Sequence, residues 1–156
     1  MKKLLSLIIV ATLINVSYSQ WVTRTVDNGL DDTYKIAYCP DANKSSLLKM
    51  EMVNDNIVLY VTGSYFCDDN PLIEIAMKVG ASNVRYSFTG TKSRDSKTIF
   101  FINRMISYET EDFIKNFELA ERLVMRVNES HCEDEMYIFD MTNSRLALKF
   151  MSSDFK

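Results

Sequence analysis

The sequence predicts a mostly β fold: an antiparallel β-sandwich of about nine strands, with one main helix near the C-terminal third and a short helical turn at the end. Three observations predict it. Between Trp21 and Asn103, short β-branched and aromatic runs with a period of about two alternate with turn residues. From Tyr108 the period lengthens to about 3.6 for one segment, after which the strand pattern returns. Finally, residues 20–156 hold only two prolines and four glycines, with no low-complexity linker and no internal repeat, as expected of a single domain.

The strand pattern reads as Trp21–Val26, Tyr34–Tyr38, Leu47–Val53, Ile57–Thr62, Leu72–Val79, Val84–Thr89 and Thr98–Asn103. Alternation is clearest in the fifth of these, where Ile73, Ile75, Met77 and Val79 should face inward and Glu74, Ala76 and Lys78 outward. The polar break at Asn54-Asp55-Asn56 predicts a hairpin. Phe113, Phe117 and Ala120, with Ile114 beside them, form the apolar face of the main helix; Thr110 is its expected cap, and Glu111 and Asp112 favour its N-terminal dipole. Strands follow at Leu123–Val127 and Met136–Asp140, joined by the polar stretch 128–135. A helical turn over Asn143–Phe150 has Thr142 as its expected cap. Met50, Met52, Met77, Met125, Met136 and Met141 read as core filler rather than as a metal-binding strip.

The first 19 residues read as a signal peptide, with a retained N-terminal anchor as the alternative. Lys2 and Lys3 precede an apolar run from Leu4 to about Val16, and the small Ser17 and Ser19 place cleavage after Ser19. The run is shorter than the roughly 20 residues that span a bilayer, and Gln20 stands where a bacterial lipid anchor needs cysteine. Export to the periplasm or the medium is the expectation, with no transmembrane segment in the mature chain. The full chain carries a net charge of −3, and loss of Lys2 and Lys3 makes it more acidic. Nucleic acid and anionic membrane surfaces are therefore not expected partners.

Export sets an oxidising environment for Cys39, Cys67 and Cys132. Cys67 and Cys132 both lie in polar loops between successive strands, whereas Cys39 sits at a strand end before Pro40; the expected disulfide is Cys67 with Cys132, other pairings staying open to geometry. Cys39 is left as a buried small apolar group or, alternatively, a thiol for an intermolecular bond. Such a bridge draws Asp68 and Asp69 toward Glu133, Asp134 and Glu129. That makes Asp68, Asp69, Glu133 and Asp134 a weak candidate cation cluster, against a solvated acidic loop end, because no calcium-loop spacing is present. Asp31 and Asp32 read as a polar turn before a ligand pair.

His131, the single histidine, neighbours Cys132, but adjacent residues in an extended chain point to opposite faces, so a Cys/His nucleophile pair is not expected. The three cysteines and His131 contain no C-x-x-C spacing for zinc. No G-x-S-x-G, phosphate-binding glycine loop or H-E-x-x-H occurs, and no cofactor is implied. Trp21, Tyr34, Tyr38, Tyr60, Tyr65 and Tyr86 can line a ligand surface or, as strand aromatics commonly do, pack the sheet.

The early Trp21, the turn Asn28-Gly29-Leu30-Asp31-Asp32 leading to Tyr34-Lys35-Ile36-Ala37, and the ending, in which a helix around Phe113–Ala120 runs into Leu123–Val127, Tyr137–Met141 and Ala147-Leu148, together carry a resemblance. The chain resembles exported bacterial and phage β-sandwich proteins related to the invasion-associated locus B family and to periplasmic accessory proteins of type VI secretion. The resemblance implies a small exported sandwich, non-enzymatic, acting on a protein partner in the envelope or at the cell surface; the glycine usual in the closing turn of such proteins is replaced at Thr142-Asn143-Ser144, where Asn143 suits the left-handed conformation. A structural or virion-associated protein is the alternative, and a carboxylate-based enzyme acting on the envelope or on glycans a further one.

Overall fold

The computed structural model describes residues 21–27, 33–53, 56–63, 65–102 and 108–152. The expected leader, the turn at 28–32 and residues 54–55 lie outside these. Among the described residues, ten strands form two antiparallel sheets. The six-stranded sheet has the order β1-β2-β3-β4-β8-β7, from Val22–Asp27, Thr33–Pro40, Leu47–Val53, Asn56–Thr62, Thr98–Ile102 and Thr91–Lys92. The four-stranded sheet has the order β10-β9-β5-β6, from Glu135–Asp140, Arg122–Asn128, Leu72–Val79 and Ser82–Thr89. Helices α1 (Tyr108–Leu119) and α2 (Ser144–Ser152) complete the described chain.

The inward faces follow the period of two. In β5, Ile73, Ile75 and Met77 are buried while Leu72, Glu74 and Lys78 are exposed. They meet Leu123, Met125 and Val127 of β9 and, from the opposite sheet, Leu48, Met50, Leu59, Val61, Ile99 and Phe101 in one core. A two-residue turn joins β5 to β6, with Val79 opposite Ser82 and Gly80 at φ +58°, a conformation that favours glycine. Gly63 is needed for a different reason: a Cβ there would lie 2.6 Å from the Tyr137 hydroxyl and 2.7 Å from the Phe66 ring.

The helices close the interior. Phe113 meets Tyr86 and Phe88 of β6 edge-on, and Phe117 packs against Phe113 and Trp21. Tyr86 also donates to the Asp112 carboxylate; burial first, then that bond, pushes its hydroxyl pKa up to about 12. The buried Ser144 Oγ donates to the Phe117 carbonyl at 3.0 Å, adding to the weak 3.4 Å bond this carbonyl accepts from the Ala120 N–H at the end of α1, and so docks α2 onto α1.

Two expected helix caps need correction, and two elements gain detail. Among the described residues the two-residue β7 adds to the expected nine or so strands, because Thr91 and Lys92 pair with Phe100 and Ile99. Helix α1 begins at Tyr108, so Thr110 lies within its first turn instead of capping it; once nucleated, a helix gains a bond for each residue added. The expected helical segment at the end is present as a short helix of nine residues, and Ala147, Leu148 and Met151 bury one face of it. Its first acceptor is the carbonyl of Asn143, at φ 71°, while Thr142 is held by the Asp140 carboxylate through its N–H at 2.9 Å and its hydroxyl at 2.6 Å.

Phe117→Ala would open a cavity where α1 meets Trp21. An unfolding free energy lower by about 3–5 kcal/mol is expected, read from chemical denaturation of the variant against the parent.

Candidate functional site

Strands β5 and β9 pair with Leu72 opposite Asn128, so the segment entering β5 and the segment leaving β9 emerge side by side. Cys67 and Cys132 stand on these two segments at disulfide distance, their Cα atoms 6.1 Å apart. Glu129, the first residue beyond β9, is only 8% exposed. Its Oε1 accepts the backbone N–H groups of Cys67 at 2.7 Å and Asp68 at 3.0 Å. Two donors on one carboxylate oxygen tie the loops together independently of the sulfurs. On the other side of residues 67–71, the Lys92 ammonium donates to the Cys67 carbonyl at 2.7 Å and pairs with Asp69 at 3.1 Å, and Gly90 N–H donates to the Pro71 carbonyl at 2.8 Å.

The acidic residues read from the sequence reach this corner but turn to separate partners. Asp68 accepts from the Ser130 N–H and lies 2.6 Å from His131 Nδ1. Asp69 goes to Lys92, while Asp134 accepts from the Glu129 N–H and pairs with Arg126 at 2.9 Å; Glu133 is exposed. Among the described residues, the group whose donor atoms converge is instead Cys67, Glu129 and Cys132, within 4.8 Å of one another. In the sequence alone Glu129 is one more carboxylate of a polar loop. Its signal was its place directly after a strand, where a β9–β5 pairing would bury it, and that pairing is not visible in the sequence.

Cys39 is buried, and its Sγ donates to the Asp140 carbonyl at 3.3 Å, which keeps this thiol from an intermolecular bond. The aromatics do not share one surface. Trp21 and Tyr86 pack with the helices, whereas Tyr38 and Tyr60 flank Lys49 in a row on the outer face of the larger sheet, Tyr60 bonded to Glu51; Tyr65 is exposed on the loop leading to Cys67. Burial, then the bond to Glu51, raises the Tyr60 pKa above the ordinary phenolic range.

The outer face of the smaller sheet is built by register. One row runs Ile138, Val124, Ala76, Arg85, and the next Met136, Arg126, Glu74, Ser87. Met136 is 60% exposed, against the expectation that it fills the core, because its place opposite Arg126 puts it on this outer face. With Ala76 and Val124 it lines an open concavity of about 390 Å³, edged by Glu74, Arg85 and Arg126.

No family model, curated protein or solved structure matches this chain. The functional reading therefore rests on the chemistry of these residues. Arg126 is committed to Asp134, and Glu74 accepts from Asn128 at 3.0 Å. Arg85 and Arg122, on the same face, have no acidic partner within 4 Å among the described residues. The face thus offers apolar area beside two uncommitted guanidinium groups.

Two outcomes are expected at the loop corner. The Ser130 N–H first, then the His131 side chain, hold the Asp68 carboxyl at about 2, below its ordinary 3.8. The stabilisation from this shift is full above pH 4 and is lost as pH falls through about 2. Asp68→Asn should therefore lower the thermal midpoint at pH 7, with the gap to the parent closing between pH 4 and pH 2. Replacing Cys67 and Cys132 by serine releases a loop spanning a sequence separation of 65 and should cost about 4 kcal/mol in chemical denaturation under oxidising conditions.

Proposed function

We propose that this protein is an exported, non-enzymatic binding or accessory module of the bacterial envelope or cell surface, and that it engages a protein partner through the outer face of the four-stranded sheet. The observation that carries the reading is the apolar row Ile138, Val124 and Ala76, with the exposed Met136 beside it. Burying a side chain such as Met136 is worth about 1.5–3 kcal/mol, so a few such contacts provide a stable core for an interface. Arg85 and Arg122 specify the partner's charge: its docking segment places apolar side chains over the row and carboxylates at the two arginines. Export is supported by the basic and then apolar start of the chain and by the Cys67–Cys132 pair, which suits an oxidising compartment.

The test is a crosslinked pull-down of tagged protein from its native cells, read by mass spectrometry against a tag-only control and then repeated with variants. A partner lost at least about tenfold with Met136→Glu and with Arg85→Glu is the expected result. It should be retained with Tyr65→Ser, on the loop leading to Cys67, and thermal midpoints should be unchanged throughout. A partner recovered equally by both face variants would overturn the assignment.

A further inference from the structure

Cys67, Glu129 and Cys132 place one donor atom each within 4.8 Å of one another, on loops that the β5–β9 pairing holds together. Glu129 is fixed at this spot because its Oε1 is occupied by the N–H groups of Cys67 and Asp68. Its Oε2 is buried and has no hydrogen-bond partner among the described residues. A carboxylate oxygen withdrawn from water and given no donor lacks what a metal ion supplies. Two sulfurs and a carboxylate oxygen are also the donor types that zinc selects.

We propose that reduction of the Cys67–Cys132 bond converts this corner into a site for one thiophilic divalent cation of the zinc type, held by both thiolates and Glu129, with a fourth position open to solvent beside the exposed Cys132. The reductant is a dithiol: the Sγ–Sγ bond breaks, each sulfur gains a proton, and the reductant's own two thiols close into a disulfide. Cation binding then releases the two thiol protons to solvent. At a tetrahedral ion with Zn–S near ~2.3 Å, the sulfurs separate to about 3.7 Å. Cα atoms 6.1 Å apart accommodate that separation by side-chain rotation over a fixed backbone. His131 is left out of the ligand set because its ring nitrogens do not lie within 4.8 Å of all three donor atoms. The disulfide and the cation are thus alternative locks on one loop pair.

The full chain, reduced and desalted without oxygen, is titrated with Co2+ and then Zn2+ while circular dichroism follows the fold. One Co2+ per chain, with thiolate-to-cobalt charge-transfer and four-coordinate d–d bands displaced by Zn2+, is expected of the reduced protein and not of the oxidised one. Cys132→Ser should abolish the charge-transfer band, and Cys39→Ser should leave it unchanged. Glu129→Gln keeps a carbonyl oxygen for the two N–H groups but loses the charge, and should weaken binding by about tenfold. A folded, reduced chain without those bands, equal affinity in Glu129→Gln, or a chain that unfolds on reduction and is not refolded by Zn2+ would each overturn the proposal.

Discussion

The antiparallel register of β5 against β9, with Ile75 opposite Met125, is the constraint on which the rest of the smaller sheet depends. Side chains alternate along a strand, so a slip of one residue would turn Ile73, Ile75 and Met77 to solvent and draw Glu74 and Lys78 into the core. Several large apolar groups would be exposed and two charges buried without partners, which is far more than the few kcal/mol by which a domain of this size is stable. Burial thus selects one register, and that register has consequences at both faces and at the end of the ladder.

At the end of the ladder, fixing Leu72 opposite Asn128 brings together two loops that lie more than sixty residues apart in sequence. The contacts there are layered. Two sulfurs stand at disulfide distance across the loops, the Glu129 carboxylate bridges their backbones, and Lys92 holds the outer side of the Cys67 segment. The charges are paired off individually: Asp69 with Lys92, Asp134 with Arg126, Asp68 with His131 and the Ser130 amide. An acidic stretch that looks like a cation cage when read along the chain becomes a set of separate ties, because each carboxylate meets a nearer donor first.

The outer face shows the same register from the other side. It stacks Ile138, Val124 and Ala76 into one apolar row and leaves Met136 beside them, flanked by arginines. The helices are committed to the interior through Phe113, Phe117 and the Ser144–Phe117 bond. The smaller sheet is therefore asymmetric, with an inner face closed by its own chain and an outer face of mixed apolar and basic character.

By itself the sequence determined the local features. The period of two placed the long strands, the period of 3.6 placed α1 on Phe113 and Phe117, and Asn143 was legible as the left-handed position, because each depends on neighbours within a few residues. The loop location of Cys67 and Cys132 also made their pairing legible, although only geometry could bring the sulfurs together. What the tertiary structure decided is what depends on residues distant in sequence: the strand order, the β7 bridge, the exposure of Met136, the bond from Cys39 to the Asp140 carbonyl, and the burial of Glu129 at the sulfur pair. The alternation around Met136 is the same whichever face turns inward, and the charge of Glu129 reads the same in a solvated loop as in a buried bridge. The packing of one sheet against the other removes that ambiguity, because only one choice of faces buries the large apolar side chains together.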